Sequence, residues 1–198
     1  DADNKVVVNS PELEAIFKNT LAHADTLSAK LSPYSEDWVN AMGTGKFATM
    51  TCPSWELARI EGSSPGITDW RIANALPGGG GHLGGSLLTI PKQSQHPEEA
   101  AALISFMTSP ENQIAMFKGG SAFPSRLEAL SSPSLTEIVN PFYGDAKVGE
   151  IFAERAKAIK AYIYKGPAYV AIDTAAWNAF SRVETGQQSI DEAWLQFV

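Results

Sequence analysis

Tryptophan is the residue type in this sequence best suited to recognising a ligand. Trp177 and Trp194 lie on apolar stripes with helical spacing, which predicts that both are buried. Trp55 instead follows a Pro-Ser step at a junction between loop and helix, where side chains commonly face a cleft. A flat indole matches the apolar face of a pyranose ring. Trp55 is therefore a candidate platform for stacking a ligand, with burial in the core as the alternative. The chain has five tryptophans: Trp38, Trp55, Trp70, Trp177 and Trp194.

Nucleophiles, general bases and metal ligands are sparse, and their spacing supports no catalytic site. The single cysteine, Cys52, excludes a disulfide within the chain and a zinc site of several cysteines, and is expected to be a small buried residue. The three histidines are His23, His82 and His96. None of them has another histidine, a cysteine or a carboxylate at the spacing of a metal site. The adjacent carboxylates complement the dipoles of predicted helices: Glu98-Glu99 and Asp191-Glu192. The sequence therefore predicts that the protein is not an enzyme.

Two glycine-rich stretches match nucleotide-binding motifs only in part. Gly79-x-Gly81-x-x-Gly84 has the spacing of a dinucleotide fingerprint, but that motif must open a helix, and a predicted strand follows here. Gly43-Thr44-Gly45-Lys46 lacks the spacing of a P-loop and the hydroxyl that would hold magnesium. No cofactor is predicted.

The charge balance argues against nucleic acid as a partner. The net charge is −7 and the isoelectric point about 5.0, and no cluster of Lys and Arg offers a basic face. Hydrophobic residues make up 44% and charged residues 19% of the chain, which is typical of a globular protein with a buried core. No apolar run reaches the ~18 residues that a membrane-spanning helix needs.

The periodicity of apolar residues predicts helices separated by short strands. Capping signals predict four helix starts: Ser10-Pro11, Pro97, Ser109-Pro110 and Ser189, the last with a capping box to Glu192. Residues 148–163 carry a further helical stripe, and Asp173 or Thr174 is predicted to cap the helix of Trp177. Strands are predicted at 6–8, 47–51, 70–76 and 85–90. This alternation predicts an α/β fold.

Several short motifs occur in a fixed order along nearly the whole chain. Together their order and spacing resemble the family 1 extracellular solute-binding proteins, the sugar-binding subunits of ABC importers. Residues 140–145, with 149–152, look like members that bind plant-derived oligosaccharides such as cello-oligosaccharides. The motifs are Gly45-Lys46-Phe47-Ala48-Thr49-Met50, Pro53-Ser54-Trp55, Leu76-Pro77-Gly78-Gly79, Gly84-Gly85-Ser86-Leu87-Leu88-Thr89-Ile90-Pro91-Lys92, His96-Pro97-Glu98-Glu99-Ala100-Ala101, Phe106-Met107-Thr108-Ser109-Pro110-Glu111, Phe123-Pro124-Ser125-Arg126 and Gly186-Gln187-Gln188-Ser189-Ile190-Asp191-Glu192-Ala193-Trp194.

The resemblance implies a periplasmic-binding-protein-like type II fold, in which two α/β lobes enclose a ligand and close by a hinge motion. On this basis residues 1–83 belong to the C-terminal lobe, 84–120 form a crossing strand and helices of the N-terminal lobe, and 121–198 complete the C-terminal lobe. Because family members are roughly twice as long, the N-terminal lobe is expected to be largely missing. An incomplete sheet, or a second chain that supplies the missing N-terminal half, is predicted.

The resemblance also implies roles for individual residues. Trp55 matches the sugar-stacking tryptophan of the family. Gly84, Gly85 and Ser86 match a cleft-lining strand whose backbone and hydroxyl reach the ligand. Further candidate ligand contacts are Tyr143 and Asp173, and a role of Asp173 as a helix N-cap is equally well supported.

Partners and location follow from the same resemblance. It implies a sugar ligand, ABC permease subunits as partners, and an extracellular site of action, as a membrane-anchored lipoprotein or a periplasmic protein whose leader is absent from this chain. The first alternative is a binding protein of this fold for a non-sugar solute, such as a polyamine or a phosphate ester. A carbohydrate-active enzyme is the second.

Overall fold

The structure is a computed structural model and describes residues 7–46, 48–160 and 165–198. Over these ranges the chain forms ten α-helices and three short 3-10 helices, without a β-strand. The α-helices are α1 (Pro11–Leu21), α2 (Ala24–Leu27), α3 (Glu36–Met42), α4 (Leu57–Ser63), α5 (Pro97–Met107), α6 (Pro110–Lys118), α7 (Pro133–Thr136), α8 (Val148–Lys157), α9 (Tyr169–Glu184) and α10 (Ile190–Phe197). The 3-10 helices are Ser54–Glu56, Ala129–Ser131 and Pro141–Tyr143.

The predicted strands are wrong wherever the structure describes them. Residues 7–8, 48–51, 70–76 and 85–90 form neither strand nor helix, and Val6 and Phe47 lie outside the described residues. Asn140 and Ala146 make an antiparallel bridge, the one β pairing in the described ranges. A strand exists only as part of a hydrogen-bonded ladder, and no neighbouring segment of the described chain provides one for these residues. The described fold is therefore helical rather than α/β.

The four helix starts predicted from capping signals are confirmed: α5 begins at Pro97, and the other three helices follow a serine whose side chain caps the helix. The N–H of Leu13 donates to the Ser10 hydroxyl at 3.2 Å, and α1 begins at the following proline. Ser109 caps α6 in the same way. In α10 the Ser189 hydroxyl accepts from the Glu192 N–H, and the Glu192 carboxylate accepts from the Ser189 N–H at 2.8 Å. This is the predicted capping box.

The described chain divides into two compact units, of which the first comprises the described residues of 1–38 and 161–198. Its core is an aromatic cluster around Phe17 of α1, whose ring centroid lies 5.2 Å from Phe180 of α9 and 5.3 Å from Trp194 of α10. Such aromatic pairs add roughly 0.5–1.5 kcal/mol each beyond the burial of their area. Lys18 of α1 also pairs with Asp191 of α10 at 2.6 Å. Burial of Trp194 was predicted and is confirmed.

The second unit comprises residues 39–160. Three rings from α6, α8 and the segment between them, Phe117, Phe123 and Phe152, lie with centroids 5.1–6.3 Å apart. Helices α7 and α8 pack so closely that a Cβ on Gly149 would collide with the backbone carbonyl of Leu135. Only glycine permits this approach.

Two expectations for α9 are wrong. The helix begins at Tyr169, four residues before Asp173, so Asp173 lies in the second turn and caps nothing. The residue before the first turn is Ala168, which makes no side-chain cap, and α9 follows the turn in which the Tyr169 N–H donates to the Gly166 carbonyl. Trp177 is 55% exposed, because the apolar face of α9 that packs in the core carries Ala179 and Val183 instead.

Residues 83–106 expose many large apolar side chains. Helix α5 contains no buried residue, and Phe106 on it is 66% exposed. In the preceding segment Leu87 is 92% exposed. We refer to the exposed side chains of this stretch as the apolar segment: Leu83, Leu87, Leu88, Leu103 and Phe106.

The compact units and the predicted lobes divide the chain differently. The second unit takes in residues from all three predicted ranges, 1–83, 84–120 and 121–198. The units reflect packing within this chain, whereas the predicted lobes follow from the resemblance to a complete two-lobe fold. The division into lobes therefore stays a prediction.

Candidate functional site

Trp55 is the middle residue of the 3-10 helix Ser54–Glu56, which leads directly into α4. The extended Pro53 precedes it, and the Glu56 N–H donates to the Pro53 carbonyl at 3.0 Å. The N–H of Leu57 closes the turn by donating to the Ser54 carbonyl. The Trp55 side chain is half-buried. This confirms the predicted position at a loop–helix junction and leaves part of the indole accessible.

The next residue, Glu56, carries a carboxylate beneath the turn. Its side chain is 1% exposed, and Arg59 Nε lies 2.6 Å from its Oε1. Burial raises the pKa of Glu56, and the positive charge of Arg59 opposes that rise. The ion pair lets the turn keep a buried acidic residue at its C-terminal end.

Cys52 lies three residues before Trp55 and is half-buried. Its Sγ is 3.3 Å from the Pro53 carbonyl oxygen. Burial, and then the negative charge of Glu56, raise the pKa of the thiol to about 12. A nucleophilic cysteine needs its thiolate, so the local electrostatics favour the predicted role of a small packing residue.

Tyr143 contacts the backbone of α4. It is 2% exposed, and its hydroxyl donates to the Leu57 carbonyl at 2.8 Å. Burial raises the pKa of this hydroxyl, and the neighbouring acidic groups Cys52, Glu61 and Glu56 add to the rise. The role of Tyr143 as a ligand contact stays a prediction. In this structure its hydroxyl is directed into the protein, towards Leu57, which follows Trp55 by two positions in the sequence.

Gly84, Gly85 and Ser86 lie in the exposed segment before α5 rather than in a strand. Gly84 and Gly85 have φ of +75° and +149°, which favour glycine. No heavy atom outside the neighbouring residues lies within 4 Å of the place that a Gly84 Cβ would take. A ligand could therefore approach this backbone closely, but the role of the three residues stays a prediction.

Asp173 belongs to the first compact unit, whereas the other predicted ligand residues belong to the second. Its side chain is exposed on α9. Its predicted contact with a ligand stays a prediction.

Two cavities of the second unit contain polar side chains that the sequence did not single out. One of about 70 Å³ adjoins the turn of Trp55 through Ser54, and its other polar residues are Glu61, Lys118, Ser121 and Asn140. It is far smaller than the ~300–1,000 Å³ of a typical small-ligand site. The other cavity, of about 420 Å³, is not lined by any predicted site residue. Its lining residues are Pro110, Glu111, Ile114, Glu128, Ser132 and Ser134. No sequence pattern could reveal either, because tertiary packing brings these segments together.

Within the described ranges, no three His, Cys, Asp or Glu side chains are grouped as metal ligands. The helices of the same ranges are each too short or too polar to cross a membrane. The glycine run at 78–81 opens no helix either, since the next helix begins at Pro97. Instead Arg155 of α8 donates to the Gly79 carbonyl at 2.6 Å, so this loop is attached to α8.

The family model of the bacterial extracellular solute-binding proteins matches residues 1–140. The chain belongs to this family. The resemblance inferred from the short motifs is thus confirmed at the level of the family. A search of curated protein sequences finds no match.

A solved structure of this family agrees with the fold. It is a crystal structure of an extracellular solute-binding protein of family 1, with a TM-score of 0.88 and 38% sequence identity to this chain. The match covers 100% of this chain and 51% of that one. The chain therefore spans about half the length of this solute-binding protein, and its helices form part of that fold.

Proposed function

We propose that this chain is part of a solute-binding protein that binds a carbohydrate, with an oligosaccharide as the expected ligand, and delivers it to an ABC importer. The observation that carries the proposal is a half-buried tryptophan, Trp55, held on a hydrogen-bonded turn of a chain that belongs to the extracellular solute-binding proteins. Binding uses stacking and hydrogen bonds to hydroxyl groups, without covalent chemistry. No catalytic residue is proposed.

The electrostatics around Trp55 favour a neutral ligand. Glu56 is paired with Arg59, the Cys52 thiol is held in its protonated form, and the Tyr143 hydroxyl is protonated and bonded to backbone. None of these groups offers an uncompensated charge to an ionic solute. A sugar ring instead needs an apolar face beside polar groups that can take its hydroxyls, which an indole at the edge of a polar loop provides.

Gly84, Gly85 and Ser86 are proposed as a second contact region. Glycine leaves the backbone accessible, and the Ser86 hydroxyl can both donate and accept a hydrogen bond. The proposed contacts of Tyr143 and Asp173 are secondary, because Tyr143 is buried.

The proposed partners follow from the proposed activity. ABC permease subunits receive the ligand, and the half of the two-lobe fold that this chain does not span completes the cleft, in the same chain or as a second one. The proposed location is extracellular, either periplasmic or as a lipoprotein anchored to the membrane. No nucleic acid partner is proposed, in keeping with the net charge of −7.

The proposal is tested by titrating the chain with gluco-, xylo- and malto-oligosaccharides while tryptophan fluorescence is recorded. We expect one class of sugar to give a saturable change. Trp55→Ala should weaken that binding by about 30-fold or more, as expected for an aromatic anchor that contributes about 2 kcal/mol. Trp177→Ala is the matched control, because Trp177 is an exposed tryptophan on α9.

Equal weakening by the two substitutions, or none by either, would argue against stacking on Trp55. If no sugar binds to the folded chain, the titration is repeated with the complete two-lobe protein. If none binds there either, calorimetry with polyamines and phosphate esters tests the alternative of a non-sugar solute. Chromatography of the oligosaccharides after incubation tests the enzyme alternative, since a hydrolase would shorten them.

A further inference from the structure

A hydrogen-bonded turn contains Tyr143. The Asn140 side chain accepts from the Phe142 N–H at 2.9 Å, and the Asn140 N–H donates to the Ala146 carbonyl at 2.9 Å. Gly144 adopts a φ of +71°, which closes the 3-10 helix Pro141–Tyr143. The Ala146 carbonyl also accepts from the N–H of Val148, the first residue of α8. Hydrogen bonds thus hold the turn at both ends.

This turn holds the Tyr143 ring against α4. The Phe142 ring packs on it edge to face, with centroids 4.9 Å apart, and Tyr143 is 2% exposed. Its hydroxyl reaches across 86 positions of sequence to the Leu57 carbonyl at 2.8 Å. Leu57 is therefore bonded through both backbone groups, because its N–H donates to the Ser54 carbonyl on the other side of Trp55.

We propose that Tyr143 is a positioning residue for Trp55: its hydroxyl, by holding the Leu57 carbonyl, fixes the turn Ser54–Glu56 and thereby the orientation in which the indole meets a ligand. The inference rests on the proposed function, since it takes Trp55 as the stacking side chain. It assigns the segment Asn140–Ala146 a role in shaping the site, in addition to the secondary ligand contact proposed for Tyr143.

The test uses the chain labelled with 5-fluorotryptophan and its fluorine NMR spectrum. The signal of Trp55 is assigned as the one that disappears in Trp55→Phe. Tyr143→Phe removes only the hydroxyl, and we expect it to shift or broaden the Trp55 signal while leaving that of the buried Trp194 unchanged. Tyr169→Phe is the matched control, which removes a hydroxyl from α9 and should leave both signals in place.

Sugar affinity gives the second readout. In the fluorescence titration we expect Tyr143→Phe to weaken binding about two- to tenfold, the range for one net hydrogen bond, and Tyr169→Phe to leave it unchanged. If no sugar binds either the unmodified chain or the complete two-lobe protein, the proposed function fails, and the fluorine signal of Trp55 still decides the role of Tyr143.

An unchanged Trp55 signal in Tyr143→Phe overturns the proposal, even if the midpoint of urea unfolding falls, because the hydroxyl then has a structural role only. Should Tyr143→Phe fail to fold, Asn140→Ala decides instead. It removes the side-chain bond to the Phe142 N–H and leaves Tyr143 intact. A shifted Trp55 signal supports the proposal, and an unchanged one overturns it.

Discussion

At the scale of single residues, three ionisable groups in or next to the turn of Trp55 are held neutral or paired. Burial raises the pKa of Cys52 and Tyr143, and Glu56 is paired with Arg59. Each of these groups supports the turn rather than presenting a reactive or charged atom. The indole is therefore the feature of this turn that is best suited to meet a solute.

The raised pKa of Cys52 predicts slow alkylation. Near neutral pH a thiol of pKa about 12 carries roughly a hundred- to a thousandfold less thiolate than one at its ordinary value of 9.0. We expect iodoacetamide to modify the folded chain at pH 8 more slowly by about that factor than the chain unfolded in urea, with a rate that rises steadily up to pH 10. Mass spectrometry of quenched samples measures both rates; equal rates would contradict the prediction.

At the scale of elements, close backbone approach fixes how helices of the second unit pack. Gly149 near the start of α8 lies against the Leu135 carbonyl of α7, and its own N–H donates to the Ile138 carbonyl at 3.3 Å. The same part of the chain holds the turn of Tyr143. The segment between α7 and α8 contains Tyr143, which bonds to Leu57 next to the candidate site. The packing of α7 on α8 therefore helps to position that site.

Gly149→Ala tests this packing. The added methyl group cannot be accommodated without moving α7, so we expect the free energy of unfolding to fall by about 1–3 kcal/mol. Gly62→Ala is the matched control: Gly62 lies exposed in α4 with no atom within 4 Å of a new Cβ. There alanine should raise the free energy by about 0.5–1 kcal/mol, because it favours the helix. Urea unfolding followed by circular dichroism measures both free energies. An unchanged free energy of unfolding in Gly149→Ala would contradict the close approach of Gly149 to the Leu135 carbonyl.

At the scale of the whole molecule, the described chain exposes a stretch of large apolar side chains. The apolar segment includes Leu87 at 92% and Phe106 at 66% exposure, and α5 buries no residue. Exposed apolar surface of this kind marks an interaction surface or a liability to associate. The match to half the length of a family 1 solute-binding protein agrees with this observation.

Substitution of the apolar segment tests its exposure. We expect the chain to bind the dye 1-anilinonaphthalene-8-sulfonate, and the double variant Leu87→Ser, Phe106→Ser to bind much less of it. The free energy of unfolding should change by no more than about 0.5 kcal/mol, because both side chains are already in water. Leu135→Ala is the contrasting variant: Leu135 is fully buried, and its truncation should cost about 2–5 kcal/mol. A large loss of stability in the double variant would show that the segment is buried.

The sequence alone determined what depends on neighbouring residues. The helix starts at Ser10, Ser109 and Ser189 were predictable because a cap bonds to an N–H two or three positions away. The order of short motifs was enough for the family, and the Pro-Ser step before Trp55 placed that side chain correctly at a loop–helix junction.

Tertiary structure decided what depends on distant partners. The apolar runs at 70–76 and 85–90 have the composition of strands, but strand pairing requires another segment alongside, and composition does not reveal one. Trp177 has a helical stripe like that of Trp194, yet only the packing of α1, α9 and α10 determined which of the two is buried. The bond from Tyr143 to Leu57 spans 86 positions, and no local pattern encodes it, because folding alone brings the two segments together.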